Sequence, residues 1–527
     1  MKRSRKDFTY LSNRQKRRVV LQNAAILETT NGSDHASKES TVTAEEISVC
    51  NSTETNEPDC EWNTITFLKR ARQNNIEEGS EEGYSYNQPS DLSMNDRESG
   101  GGWSEDIHRD NFHDCLREII VKHNVSHSFV NDLLHLLKMN GHPELPKDVR
   151  TLMCTPKNTS ASIITLSGGR YVHLGLANGI CNNIKQHFTT LPNEIKLNIN
   201  IDGLPISKSS TSQFWPILAA IYSEYYTEPF VIGVFHGMKK PDDSNVFLKP
   251  FVDELKSIFQ SGSIIIKGKI IPIKINAIIC DAPAKAFISG IKNHSGYFAC
   301  SKCIIEGDFV ENRVIFNETN CRLRTDLSFT NREQPSEHHR YSSILEDLNI
   351  GMVSQIVLDC MHLVYLGVTK RLIQFWVNGR IHIRLKPQLL KQASDMLLSI
   401  KSSIPIEFVR KPRSLYEVDR WKATEYRQFL LYTGPVILRN ILHKKMYRHF
   451  LCLSVALRII SDKEYCQKLV DYAESLLVYF VQKYAYFYGE EHLSYNVHNL
   501  IHICDEVRHY GSVEGFSAFK LNLLCTN

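Results

Sequence analysis

The chain has 527 residues, 42% of them hydrophobic and 23% charged, a balance that supplies ordinary buried cores and excludes a small scaffold held together by disulfides. No apolar run reaches the roughly eighteen residues that a membrane span needs, and a net charge of +4 does not by itself indicate a nucleic-acid partner. The 14 cysteines are scattered and not framework-spaced, so reduced thiols are expected, of which one or two pairs could hold metal.

Charge is unevenly placed. Lys2, Arg3, Arg5 and Lys6, then Arg14, Lys16, Arg17 and Arg18, form two basic clusters within 1–27, with no apolar stretch behind them that would make a secretory signal. They read as a nuclear-import signal, a DNA-backbone contact or a solvated tail, and nuclear localisation is the expectation. Residues 28–108 are rich in Ser, Asn, Thr, Glu, Asp and Gly and poor in apolar side chains. Such a segment cannot offset its ordering entropy, so a disordered linker is expected, with TITFLKRAR at 64–72 as an apolar island.

From Phe112 the spacing of Phe112, Leu116, Ile119 and Ile120, then Val130, Leu133, Leu134 and Leu137, predicts a small helical module over 109–155, ended by Asn140 and Gly141 and closed by prolines. It has no basic recognition face, which favours packing or dimerisation, and a homo-oligomer, over DNA readout. The period then changes. Ile195, Leu197, Ile199 and Ile201 alternate with polar residues, which predicts a strand with one buried face and Asp202 near its end. PFVIGVFHG predicts a second strand, NVFLKPFVDELKSIFQSG an amphipathic helix, and SIIIKGKIIPIKINAIICD a strand ending at Asp281. Strand, strand, helix, strand, with an aspartate on the first strand and another after the last, is the order of an α/β, RNase H-like core, assigned to 190–304. Beyond it the runs from IVLDCMHLVYLGVTKRLIQFW to KLVDYAESLLVYFVQKYAYFYG predict a large helical insertion over 305–490, leaving 491–527 as the closing segment.

Two aspartates at strand ends of one sheet can share divalent metals, although an aspartate at a strand end is also a common cap or turn former. Cys300 and Cys303 have the CxxC spacing of two thiolates on one zinc; a redox pair is the competing reading, but the flanking GYFACSKCIIEG lacks the setting of a redox helix. His498 and His502 stand four apart on a predicted helix and would complete a structural Zn2+ site.

The strings NINIDGLPISKSS, CDAPAKAFISGIKNHSGYFACSKC, LDCMHLVYLGVTKRL, NVHNLIHICDEV and YGSVEGFSAF resemble successive blocks of transposases of the CACTA (En/Spm) group, particularly its animal members, over about 110–519. The resemblance implies a DDE core with a helical insertion, Asp202 and Asp281 as the first two carboxylates for Mg2+ or Mn2+, and Cys300, Cys303, His498 and His502 as zinc ligands. It also implies transposon terminal-repeat DNA as partner. Where the family continues FSAF with Pro-Phe-Glu, this sequence has Lys520, Leu521 and Asn522. An amide keeps the shape of the third carboxylate but not its charge, so impaired catalysis is expected. Glu514, eight residues earlier in the chain, is not expected to substitute. A non-catalytic DNA-binding or protein-interaction role retained by a host is the alternative.

Overall fold

A computed structural model describes residues 106–521, apart from 124, 156–162, 208–209 and 224–226. The basic clusters, nearly all of the expected linker and Asn522 lie outside the described residues. Contacts divide the chain between Met153 and Cys154 into two units.

The smaller unit contains helices α1 (Asp106–Lys122), α2 (His127–Met139) and α3 (Val149–Leu152). Helix α1 therefore starts inside the stretch expected to be disordered. Ser126 caps α2 by accepting from the Phe129 amide, and Leu116, Ile120, Val130, Leu134, Leu145, Val149 and Leu152 form a small core.

The larger unit is built on a mixed sheet, making the protein mixed α/β with many helices. Its strands are β1 (Ile163–Leu166), β2 (Gly169–His173), β3 (Ile195–Ile201), β4 (Leu204–Pro205), β5 (Gln213–Ile221), β6 (Phe230–Gly237), β9 (Ile273–Cys280) and β12 (Ile356–Leu358). Two separate hairpins, β7–β8 (Ile264–Ile266, Lys269–Ile271) and β10–β11 (Asp308–Val310, Arg313–Ile315), complete the strand list. The long path through the sheet runs β1-β2-β6-β5-β3-β9-β12. Strands β2, β6, β5 and β3 pair antiparallel in turn, while β3, β9 and β12 run parallel.

This sheet overruns the boundaries read from sequence. Residues 163–173 join one edge and 356–358 the other, both outside 190–304, and 305–490 holds a hairpin and β12 as well as helices. Strand β12 was hidden because three apolar residues run directly into a helix. Strand β5 was hidden because QFWPILAAI is buried on both faces and so has no period-2 signal. Its Pro216 falls between the end of pairing to β4 (at Phe214) and the start of pairing to β3 (at Ile217), where no ladder amide is required. Strand β3 also departs from expectation. Ile195, Leu197, Ile199 and Ile201 enter the core as predicted, but Asn198 and Asn200 on the other face are buried too. Their amide nitrogens donate to backbone, Asn198 Nδ2 to the Gly515 carbonyl (2.9 Å) and Asn200 Nδ2 to the Ile279 carbonyl (2.8 Å), while Asn200 Oδ1 is buried without a partner among the described residues.

Helices α4 (Leu176–His187) and α5 (Ser244–Gln260) cover one face of the sheet, α5 through Phe247, Phe251, Leu255 and Ile258, with Asp243 capping its first turn. A short helix α6 (Ala282–Ile288) follows β9, and α7 (Asp326–Thr330) lies in the section before β12. The other face is covered by the C-terminal helical layer. That layer starts with a π-helical segment (Met361–Thr369) continuing into α8 (Lys370–Asn378), then α9 (Pro387–Ser399), α10 (Ala423–Gln428) and α11 (Gly434–Ile437). Helices α12 (Lys444–Ser461), α13 (Tyr465–Tyr488), α14 (Tyr495–Asn499) and α15 (Ile503–Tyr510) complete it. Ala277 and Ile279 of β9 and Val357 of β12 meet this layer, while Ile275 and Ile278 meet the α5 side. Beta-carbon clearance shows how closely α4 sits on the sheet: a Cβ on Gly179 would lie 2.1 Å from the Phe230 ring. Gly179→Ala is expected to destabilise this unit by about 1–3 kcal/mol, since overpacking outweighs the better helix propensity. Urea unfolding checks it, and an unchanged midpoint would show that α4 shifts freely.

Candidate functional site

Two groups of side chains meet at the C-terminal ends of the parallel strands and beside them. The first is Cys300, Cys303, His498 and His502, all buried, whose ligand atoms lie within 4.8 Å of one another. Cys300 and Cys303 follow α6 in a tight loop, and Cys303 forms a β-bridge with Leu323. The histidines were expected on one helix; instead α14 ends at Asn499, a 3-10 turn spans Leu500–His502, and α15 starts at Ile503. Both Nε2 atoms still converge. The separations are 3.6 Å between the sulfurs, 3.3 Å from Cys303 Sγ to His498 Nε2 and 3.3 Å between the two Nε2 atoms. A tetrahedral zinc with ordinary bond lengths sets its ligands about 3.8 Å apart for two sulfurs and about 3.3 Å for two nitrogens. These three separations match a metal such as zinc to within a few tenths of an ångström, and all four donor atoms lie within 4.8 Å of one another.

Electrostatics at this cluster point the same way. Burial opposes a thiolate at Cys300, but the Cys303 thiol and the two imidazoles outweigh it and hold Cys300 well below the usual thiol range. The same contact, together with burial, pushes Cys303 up. One thiolate facing two imidazoles is half-prepared for a cation, which would take the second proton off as it bound.

A buried ion pair joins the two arms of the cluster. Lys302, inside the CxxC loop, lies 2.6 Å from Glu506, one turn after His502. Lys302 Nζ also donates to the Val353 (2.6 Å) and Ile356 (3.1 Å) carbonyls, and both Glu506 oxygens accept from the Leu358 amide (2.9 and 2.8 Å). These bonds satisfy the free edge of β12, which would otherwise leave buried backbone groups unpaired.

The second group is carboxylate-rich. Asp202 follows β3, Asp281 follows β9 and Asp359 follows β12, three neighbouring parallel strands. Asp202 is 8% exposed and accepts from the Gly203 amide (2.7 Å). Burial, then Asp281, pushes its carboxyl up to about 6, against the opposing pull of His362. Asp281 caps α6 through its Oδ1, which accepts from the Ala284 amide (2.7 Å). Asp359 is fully committed. Its Oδ1 accepts from the Met361 (3.2 Å) and Ala518 (2.9 Å) amides, and its Oδ2 from the His362 amide (3.1 Å) and the His362 ring at Nδ1 (2.6 Å). Burial alone would raise Asp359, but the His362 ring and these amides bring it below the ordinary carboxylate range. The ring thus anchored turns Nε2 toward Asp202 Oδ2, 3.9 Å away. Burial disfavours the imidazolium, yet Asp359, Asp202 and Asp281 together raise His362 to about 9. Asp281, Asp359 and His362 line one cleft with Lys285, Tyr495 and Asn496.

Sequence reasoning named Asp202 and Asp281 but assigned no role to Asp359 and His362, although both stand in the quoted string LDCMHLVYLGVTKRL. An Asp-x-x-His pair at the start of a helix is a spacing at which the side chains meet, and that was the available signal. The FSAF string also reaches the site, since the Ala518 amide and the Ser517 hydroxyl (3.3 Å) both donate to Asp359. Glu514 is occupied by Arg427 (2.8 Å).

No protein-family model matches the chain, and no curated protein matches it. The functional reading therefore rests on the residues themselves.

Two outcomes follow for the metal centre. The purified chain should carry zinc, and His498→Ala should lose it and lower the melting temperature by roughly 10 °C or more; elemental analysis beside calorimetry checks both, and a variant that loses zinc but melts like the parent would show that the metal centre has no structural role. Lys302→Met strands the Glu506 carboxylate and should cost about 3–5 kcal/mol, while adding Glu506→Gln should restore part of that loss. Equal losses in the single and double variants would show that the pair carries no coupling.

Proposed function

We propose that the chain is a CACTA-type transposase by descent, a nuclear protein that binds the terminal repeats of a transposable element. Its DNA-transposition site is of the two-metal DDE kind on an RNase H-like core. The observation that carries this reading is the electrostatic coupling of Asp202 and Asp281 at the C-terminal ends of adjacent parallel strands, in a sheet whose β6-β5-β3-β9-β12 order has an antiparallel hairpin followed by parallel crossovers. Asp202 and Asp281 would hold Mg2+ or Mn2+, which when bound supplies Lewis-acid stabilisation of the attacking and leaving oxygens of a phosphodiester.

The residues of the chain contribute the rest. Asp359 fixes the His362 ring, and the charged ring faces Asp202 as an internal counter-cation, limiting carboxylate repulsion before a metal enters. The Cys300, Cys303, His498 and His502 centre is structural in this reading, because four protein donors leave no open position for a substrate. Asn522 stands where the resemblance calls for a third carboxylate, and Asp359 cannot replace it, since both of its oxygens are already engaged. Strand cleavage by this sequence is accordingly weak.

Cleavage of end-containing DNA with Mg2+ or Mn2+ tests the reading. The chain as given should nick orders of magnitude more slowly than one carrying Lys520→Pro, Leu521→Phe and Asn522→Glu with the following helix extended, and Asp202→Ala should abolish the activity of the rebuilt chain. If the given chain cleaves at full rate, the role assigned to Asn522 is wrong. If neither cleaves while both retard DNA, the non-catalytic DNA-binding role stands instead.

A further inference from the structure

The helical segment that carries His362 runs directly into a group of cations. Lys370 and Arg371 open α8, and Arg313 on β11 lines the same open groove, of about 430 Å³, with Gln374, Asn496 and His492. The groove adjoins the aspartate cleft, because Asn496 lines both. Gly367 permits that junction: a Cβ there would lie 2.4 Å from Asn496 Nδ2.

The charges in this groove are unbalanced by design of the fold. Arg313 Nη1 bonds to His492 Nδ1 (2.9 Å), and Arg371 lies over the Phe375 ring, 4.9 Å from its centre. Among the described residues neither these two arginines nor Lys370 has a carboxylate partner. The one carboxylate lining the groove, Glu491, is paired with Arg380 (3.0 Å). Burial lowers His492 against the pull of Glu491, 3.4 Å from its Nε2, and Arg371, Arg313 and Arg380 lower it further, so it accepts from Arg313 as a neutral ring and Glu491 is the single carboxylate set against the groove's cations. Two carboxylates, Glu311 and Asp419, line an adjoining pocket that shares Arg313 and Arg371 with the groove, but Glu311 is taken by Arg380 (2.9 Å) and Asp419 accepts from Gln374 (2.7 Å). Three cations drawn from two separate elements around a neutral histidine cost mutual repulsion that only an anion removes.

We propose that this groove holds the phosphodiester backbone of a DNA strand as it leaves the cleft lined by Asp281, Asp359 and His362. The open form and the continuity with the cleft suit a chain of phosphates and not a single enclosed phosphate group. The assignment deepens the transposase reading and rests on it for the identity of the anion. Arg313, Lys370 and Arg371 each take a phosphate, and Asn496 marks the turn from cleft to groove.

The test uses the full chain carrying Asp202→Asn, without divalent metal, so that binding is read apart from cleavage. Fluorescence anisotropy with a short labelled oligothymidylate, and with a duplex of equal length, is followed across a salt series. Combining Arg313→Gln, Lys370→Gln and Arg371→Gln should lower the slope of log affinity against log salt by about 2 for the single strand, at about 0.7 per phosphate contact. Affinity at low salt should fall at least tenfold. Arg313→Lys with Arg371→Lys should keep most of the slope, which separates charge from folding. A control that removes two cations from the opposite helical layer, Lys249→Gln with Lys256→Gln, should leave it unchanged. An unaltered slope in the triple variant, an equal loss in the control, or no oligonucleotide binding by the parent overturns the proposal. The two readings fail separately. If the rebuilt chain cleaves but the slope does not change, the groove falls alone; if the slope falls as expected but no chain cleaves, the groove stands and the transposase reading falls.

Discussion

The buried pair of Lys302 and Glu506 is the interaction on which the arrangement of the larger unit depends. Two charges withdrawn from water are tolerated only where every remaining donor and acceptor is met, and here they are met by the backbone of a sheet edge. Lys302 takes the Val353 and Ile356 carbonyls, and Glu506 takes the Leu358 amide. The pair lies between the two arms of the Cys300, Cys303, His498 and His502 cluster, so a metal there and the ion pair hold the same two segments together. Leu358 immediately precedes Asp359. A metal held at the cluster would thus act on the same segments that place the Asp359 carboxylate.

From Asp359 the chain of contacts continues outward. Its oxygens are consumed by amides from the start of the π-helical segment and from Ala518, and by the His362 ring, which stops 3.9 Å from Asp202. π-helical segments often accompany functional sites; His362 stands in the first turn of this nine-residue one, with its ring held by Asp359. Burial first, and then the like charge of Asp281 on the neighbouring strand, raise the Asp202 carboxyl, and the His362 ring opposes both. The same helical run delivers His362 to the cleft and Lys370 and Arg371 to the groove, so a single continuous element supplies positive charge to both.

How much of this was legible in the sequence depended on whether a local period existed. Strand β3 announced itself because one of its faces is fully aliphatic, and β9 because its Ile-rich run ends at Asp281. The buried asparagines of β3 gave the wrong impression of a solvated face, since nothing in one strand reveals that Asn198 will meet Gly515 far along the chain. Strand β5, apolar on both sides, and β12, three residues long, offered no period at all. The ligand cluster was legible because metal chemistry fixes residue type and spacing, even though the histidine helix proved to be two helices and a turn. The Lys302–Glu506 pair was not, because ion pairing between distant residues leaves no mark in spacing.

Divalent-metal binding to the aspartate cleft tests the central claim most directly, before any question of turnover. Titration of the zinc-loaded chain with Mn2+, followed by electron paramagnetic resonance of the free ion, should show saturable binding at neutral pH. Because Asp202 titrates at about 6, protons compete below that value, and affinity should weaken as pH falls through it. Asp202→Asn and Asp281→Asn should each remove the binding while leaving the zinc content intact. Mn2+ binding that is insensitive to both substitutions would contradict the account.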